Sequence, residues 1–174
     1  MNEHIIKITR HPPITECFNL EKQCLRKLNN NFTCICNNKR EHFPRLQKCD
    51  KYNHAFVLSN CGLSIDKYTQ MVKTGQLKPY KLKNYNKQIN CILYNLNKCK
   101  IQHLDMHCSG KNLCINKKGV LSLIDFDYAS INGLYTRRLK NKVRKCNRIN
   151  YNLIFKKQCI HIISKLIKNK RVII

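Results

Sequence analysis

Two stretches of the chain concentrate groups able to bind a hard cation and to move a proton. They are His103-Leu104-Asp105-Met106-His107, followed by Asn112, and Asp125-Phe126-Asp127. Between them, residues 113–115 and 120–124 read as two short strands around the turn signal Asn116-Lys117-Lys118-Gly119. An antiparallel hairpin brings its open ends together, so Asn112 and Asp125 become neighbours. Asp105 and His107 lie in the loop feeding that same end. Oxygen ligands converging in this way suit Mg²⁺, which keeps several waters and completes its shell with substrate phosphates. Asp127 adds a third carboxylate, and like charges packed closely are costly without a cation. On residue types alone, solvated acids on a polar loop are an equal alternative.

These side chains need elements to position them. Residues 4–9 form a β-branched strand containing Lys7, and His11-Pro12-Pro13 stops it. A helix then opens at Thr15 or Glu16 and runs to about Leu28, with Phe18, Cys24, Leu25 and Leu28 on its apolar face. Glu21 lies among them, and a carboxylate buried there needs a partner. Residues 45–49 and 55–58 read as strands joined by Asp50-Lys51-Tyr52-Asn53, after which Ser59-Asn60-Cys61-Gly62 breaks the pattern like a hinge. The clearest helix spans 81–99, with Leu82, Tyr85, Ile89, Ile92, Leu96 and Cys99 in one stripe. A last helix is expected over 149–167, read as a buried central helix in preference to a basic amphipathic surface helix.

The ordered set of motifs resembles the protein-kinase-like superfamily. His103-Leu104-Asp105 is similar to the His-Arg-Asp of the kinase catalytic loop, and Asp125-Phe126-Asp127 to Asp-Phe-Gly. With His107, the loop is closest to the His-x-Asp-x-His form of aminoglycoside- and choline-kinase-like families and atypical viral protein kinases. Ile5-Ile6-Lys7-Ile8 resembles the Val-Ala-Ile-Lys strand, Glu21-Lys22-Gln23-Cys24-Leu25 the helix bearing the lysine's glutamate partner, and Phe56 to Gly62 the last N-lobe strand with its adenine-holding hinge. The resemblance implies an α+β, two-lobed fold, with a reduced N-lobe over residues 1–61 and a shortened helical C-lobe over 62–174. It implies an ATP- and Mg²⁺-dependent phosphotransferase acting on protein Ser/Thr. Asp105 would orient or deprotonate the acceptor hydroxyl, and His107 would lie near the transferred phosphoryl group. Asn112 and Asp125 would hold Mg²⁺, and Lys7, fixed by Glu21, would contact the α- and β-phosphates. Ser59 and Cys61 would border the nucleotide at the hinge, and His103 would pack beneath Phe126.

The chain also departs from the family pattern. Asn112 stands seven positions after Asp105, two more than is common, so Cys108-Ser109-Gly110-Lys111 is expected to bulge with Gly110 permitting it. Asp127 replaces a glycine, no Ala-Pro-Glu follows, and with only six residues before Lys7 the strands of the Gly-rich phosphate loop are expected to be absent, as in a minimal kinase-like domain or an incomplete gene product. A pseudokinase or interaction module without turnover is therefore the alternative.

Charge and cysteine content bound the remaining choices. Thirty-four Lys and Arg against nine acidic residues give a formal +25, a field that attracts ATP, acidic protein, anionic membrane or nucleic acid. A basic nucleic-acid-binding protein is a further alternative. The lysines are scattered, and Asn/Lys/Ile enrichment is typical of AT-rich genomes such as those of large DNA viruses. The first residues lack a signal-peptide core and no run is long enough to span a bilayer. The twelve cysteines are thus expected to be reduced, in a cytoplasmic compartment, host cytoplasm or virion. Cys34-Ile35-Cys36 with His42 and Cys49 is the one cluster with zinc-ligand chemistry, but it lacks paired Cys-x-x-Cys knuckles, and buried small-hydrophobe cysteines are the favoured reading.

Overall fold

A computed structural model describes residues 4–10, 14–36, 42–106, 108–134 and 148–174. The architecture is mixed α+β. Strand β1, His4–Ile8, is rich in isoleucine and pairs antiparallel with β3, Ala55–Ser59, placing Lys7 opposite Phe56. Strand β2, Leu46–Asp50, pairs with the other side of β3, giving the order β1-β3-β2. The β2–β3 turn is held by Asp50, whose carboxylate accepts from the Tyr52 and Asn53 backbone N–H groups and from the Asn53 amide.

Helix α1, Ile14–Asn31, lies against this sheet. Its buried residues, Cys17, Phe18, Leu20, Glu21, Cys24, Leu25 and Leu28, recur at steps of three and four, so one face enters the core. Phe18 stacks on Phe56 of β3 at 4.5 Å between ring centroids. The expectation of a helix to about Leu28 is met, and the observed helix runs one turn further.

After the Ser59–Gly62 break comes β4, Leu63–Ser64, and then helix α2, Ile65–Lys73. The sequence reading missed α2. Its N-cap is Ser64, whose hydroxyl accepts from the Lys67 N–H, and it buries only Ile65 and Tyr68, too few to display a stripe. Helix α3 spans Tyr85–Lys98, shorter at its start than the expected 81–99. Tyr80–Lys81 is instead strand β5, paired in parallel with β10, Val172–Ile173, and the Leu82 N–H donates to the Ile173 carbonyl.

Two buried amides let α3 carry polar residues on its core face. Gln88 donates to the Lys83 and Gly119 carbonyls and accepts from the Leu121 N–H. Asn95 accepts from the Thr33 N–H and donates to the Thr33 and Cys91 carbonyls. With every polar atom engaged, neither incurs the penalty of an unsatisfied buried group.

Strand β6, Ile101–His103, pairs with β9, Ala129–Ile131, while β7, Leu113–Ile115, and β8, Leu121–Leu123, form the expected hairpin, bordered by β4. Helix α4, Arg148–Lys168, buries Tyr151, Phe155, Cys159, Ile162, Ile163 and Leu166 in the same cluster that holds Phe18, Leu96 and Phe126. Its apolar stripe is a core face, and its lysines line the other side. Among the described residues no helix is long and apolar enough to cross a membrane.

Candidate active site

The β1 register and the α1 core face bring two distant charges together. Lys7 Nζ donates to Glu21 Oε2 at 2.6 Å and to Asp125 Oδ1 at 2.5 Å. The Lys7 side chain is 24% exposed and that of Glu21 only 1%. Glu21 Oε1 accepts the Phe126 N–H at 3.2 Å, so both oxygens of this buried carboxylate are engaged. Burial alone would lower the Lys7 pKa, but the Glu21 and Asp125 carboxylates outweigh it and hold the ammonium charged. Burial shifts Glu21 upward against the pull of Lys7. Burial also opposes ionisation of Asp125, yet Lys7 and a hydrogen bond from Asp127 keep its carboxyl below the usual range.

Asp125 adopts a left-handed backbone, φ 68°, two residues after the end of β8. Such a conformation is uncommon outside glycine, and aspartate is among the few residues that visit it. Asp127 is buried, and burial together with the neighbouring Asp125 pushes its pKa up to about 8. Its Oδ1 is buried without a hydrogen-bond partner among the described residues. An all-oxygen donor set with an orphaned carboxylate oxygen beside it fits a hard divalent cation such as Mg²⁺.

A second group sits at the open end of the β7–β8 hairpin. The Ile124 N–H donates to the Asn112 carbonyl at 3.0 Å, closing the ladder one residue before Asp125. Asn112 Nδ2 donates to the Asp105 carbonyl at 2.7 Å and to Asp105 Oδ2 at 3.0 Å. Both bonds use the amide nitrogen and leave the amide oxygen out of them. The hairpin thus sets Asn112 opposite Ile124, the residue before Asp125, with Asp105 bonded to the Asn112 amide.

His103 supports this edge from below. Its Nε2 lies 2.8 Å from the Ile124 carbonyl, and its ring meets Phe126 edge-on at 5.1 Å. Burial holds its pKa down, so the neutral ring donates Nε2–H to that carbonyl. Tyr151 of α4 accepts the His103 N–H at 2.6 Å and donates to the His103 carbonyl at 3.1 Å. The sequence reading missed Tyr151, which pins β6 to the last helix.

The longer step from Asp105 to Asn112 is accommodated at Gly110. Its φ is 77°, and a Cβ there would stand 2.9 Å from Ile65 Cβ and 3.2 Å from Ile162 Cγ2. Gly110→Ala is therefore expected to cost about 2–4 kcal/mol, combining overpacking with left-handed strain. Urea denaturation monitored by circular dichroism checks this.

Lys7 and Asp125 border a cavity of about 390 Å³, with Arg10, Leu58 and Ile124 also in its wall. Arg10 was not singled out from sequence, because nothing in its spacing marks it. Ser59 lines a different cavity, of about 630 Å³, with Gly62, Met71 and Tyr80. The Ser59 hydroxyl accepts from the Arg45 N–H, and the buried Cys61 thiol faces the Ser59 carbonyl at 3.9 Å. The structure thus joins Lys7, Glu21 and Asp125, joins Asp105 with Asn112, and sets Ser59 and Cys61 apart from both groups. His107 lies outside the described residues. No protein-family model matches the chain, and no curated protein matches its sequence.

Proposed function

We propose that the chain is an ATP- and Mg²⁺-dependent phosphotransferase of two-lobed, protein-kinase-like build, acting on protein serine or threonine hydroxyls. The Lys7 bridge is the observation that carries this reading. One ammonium on the first strand engages a helix carboxylate and a second carboxylate 118 residues downstream. In kinases a lysine so oriented contacts the nucleotide phosphates, and the downstream aspartate holds the metal. Lys7 would bind the α- and β-phosphates with Glu21 fixing its direction. Asn112 and Asp125 would hold Mg²⁺, which when bound neutralises phosphate charge. Asp105, oriented by Asn112, would align or deprotonate the acceptor hydroxyl, and His107 would lie near the transferred group. Ser59 and Cys61 would meet the nucleotide's base at the hinge.

Incubation with labelled ATP, Mg²⁺ and mixed acceptors tests the reading. Label is expected on protein Ser/Thr, and Asp105→Asn should slow transfer by roughly 10²–10⁴-fold. A rate unchanged in Asp105→Asn would remove that residue from the chemistry, and label confined to small hydroxyl compounds would overturn the protein acceptor. A second reading, nucleotide binding without turnover, is favoured by β1 forming the outer strand of its sheet, with no further strand roofing the phosphates among the described residues. MgATP at 100-fold its Kd should stabilise the protein by about 2.7 kcal/mol under either reading. A thermal-shift titration showing no Mg²⁺-dependent response to ATP would exclude both.

A further inference from the structure

Away from the Lys7 cleft, three cysteines meet where the chain leaves α1 and passes α3, and a histidine lies against one of them. Cys34 and Cys36 follow α1, His42 precedes β2, and Cys91 projects from α3. The thiol sulfurs of Cys34, Cys36 and Cys91 all lie within 4.8 Å of one another, with Cys34 Sγ and Cys36 Sγ 3.4 Å apart. That is well beyond the roughly 2.05 Å of a disulfide. It is close to the edge of a tetrahedron built on zinc–sulfur bonds, about 3.8 Å for bonds of about 2.3 Å. His42 Nε2 stands 3.3 Å from Cys36 Sγ, again near a tetrahedral edge.

The orientation of His42 points the same way. Its Nδ1 lies 2.6 Å from the Leu121 carbonyl, an oxygen that can only accept, so Nδ1 carries the proton. The lone pair is then on Nε2, the nitrogen facing Cys36 Sγ. A backbone carbonyl that fixes the tautomer and the ring plane is the usual outer partner of a metal-bound histidine. The His42 carbonyl in turn accepts from the Leu123 N–H at 2.8 Å, so the residue is tied to β8 at both ends.

Of the three sulfurs, that of Cys91 also accepts hydrogen bonds. The Ile35 N–H donates to Cys91 Sγ at 3.4 Å, and Asn95 Nδ2 approaches the same sulfur at 3.8 Å. Asn95 simultaneously clamps both backbone groups of Thr33, one residue before Cys34. Cys36, His42 and Cys91 are buried and Cys34 is half-buried, so the cluster is closed to bulk water on most sides. Cys49, grouped with Cys34, Cys36 and His42 in the sequence as the zinc alternative to buried small-hydrophobe cysteines, packs instead from β2 against the hydrophobic core.

We propose that Cys34, Cys36 and Cys91 form the sulfur face of a structural zinc site of the Cys₃His class, with His42, whose Nε2 already lies against Cys36, closing on the metal as the fourth ligand. Four protein ligands complete a tetrahedral shell and leave no open position, so the metal cross-links the segment after α1 to α3 and carries no hydrolytic chemistry. The site does not depend on the phosphotransferase reading.

The test uses the full chain, purified under reducing conditions without chelator. Elemental analysis by plasma mass spectrometry is expected to find about one zinc per chain. Replacement by Co²⁺ should give the intense ligand-field and sulfur-to-cobalt charge-transfer bands of a tetrahedral thiolate site. Stripping with a strong chelator should lower the melting temperature by roughly 10 °C. Cys91→Ser should reduce bound zinc at least tenfold, whereas Cys49→Ser should leave it unchanged. Because Cys91→Ser replaces a buried group, the cobalt spectrum of the unmodified chain stands as an independent readout. A weak octahedral cobalt spectrum, or equal zinc loss in Cys49→Ser, would overturn the proposal. So would a disulfide found by mass spectrometry among Cys34, Cys36 and Cys91 in the reduced preparation.

Discussion

Under the proposed phosphotransferase function, Asp125→Ala is expected to reduce phosphotransfer to the level of a protein-free control, a loss of at least about 10³-fold, in a chain that still folds. The two halves of this expectation rest on different contacts. Without Asp125, Lys7 Nζ retains Glu21 at 2.6 Å, so the buried carboxylate keeps its counter-charge. The Asp125 side chain is 32% exposed, and its loss opens no apolar cavity. What disappears is the anionic oxygen that faces Lys7 and that would hold the metal against the phosphates. Alanine also fits the left-handed backbone at position 125 poorly, at about 1–2 kcal/mol. Asp125→Asn separates the effects, since asparagine tolerates that conformation and preserves the shape while removing the charge. Both variants should be inactive in initial-rate assays with labelled ATP, and Asp125→Asn should melt close to the native chain. Retention of a tenth of the activity in Asp125→Asn would deny the residue its place as a metal ligand.

The largest effect on stability is expected at the other end of the bridge. Lys7→Met leaves Glu21 ionised, 1% exposed, and without its cation. Removing one partner of a buried pair costs roughly 3–5 kcal/mol, because the remaining charge stays desolvated. The pH dependence follows in sign. Burial already raises the Glu21 pKa, and loss of Lys7 raises it further above the unfolded-state value of about 4.3. A carboxyl with a raised folded pKa contributes its stability when protonated and loses it as pH rises. The defect in Lys7→Met should accordingly be greatest at neutral pH and shrink as the solution is acidified towards pH 5. Lys7→Met combined with Glu21→Leu should recover most of the loss at neutral pH, as an apolar replacement needs no counter-charge. Urea titrations at several pH values measure all three. A pH-independent deficit in Lys7→Met would mean that Glu21 is not the group left stranded.

Much of this arrangement can be read from the chain because its parts are long or carry chemistry. A carboxylate on an otherwise apolar helical face calls for a cation, and Glu21 finds one in Lys7. The hairpin argument from Asn112 and Asp125 needed only the turn at Asn116-Lys117-Lys118-Gly119, and the β7–β8 ladder agrees with it. Other features are hidden for physical reasons. Strands β4, β5 and β10 have two residues each, too short for alternation to register, and their pairing is decided by distant segments such as Val172 against Tyr80. Gln88 and Asn95 look misplaced on the core face of α3 until the backbone groups they satisfy are known. The cysteine cluster is the sharpest case. Proximity along the chain favoured Cys49, whereas the third sulfur comes from Cys91, which reads as one more apolar position of a helix. The hydrogen bond from His42 to Leu121 spans 79 positions and has no local signal at all.

The position of β1 at the border of its sheet has a consequence for how the molecule fails when warmed. Among the described residues this strand is laddered on one side only, to β3, and its Ile6 side chain is 75% exposed. The helices behind it share a large buried cluster that includes no residue of β1. Amide exchange of β1 should therefore report a local opening free energy well below that of α1 and α3. Each such opening withdraws Lys7 from both carboxylates while leaving the helical core intact. Two melting temperatures would then describe one chain: a lower one for the assembled charge cluster and a higher one for its helices.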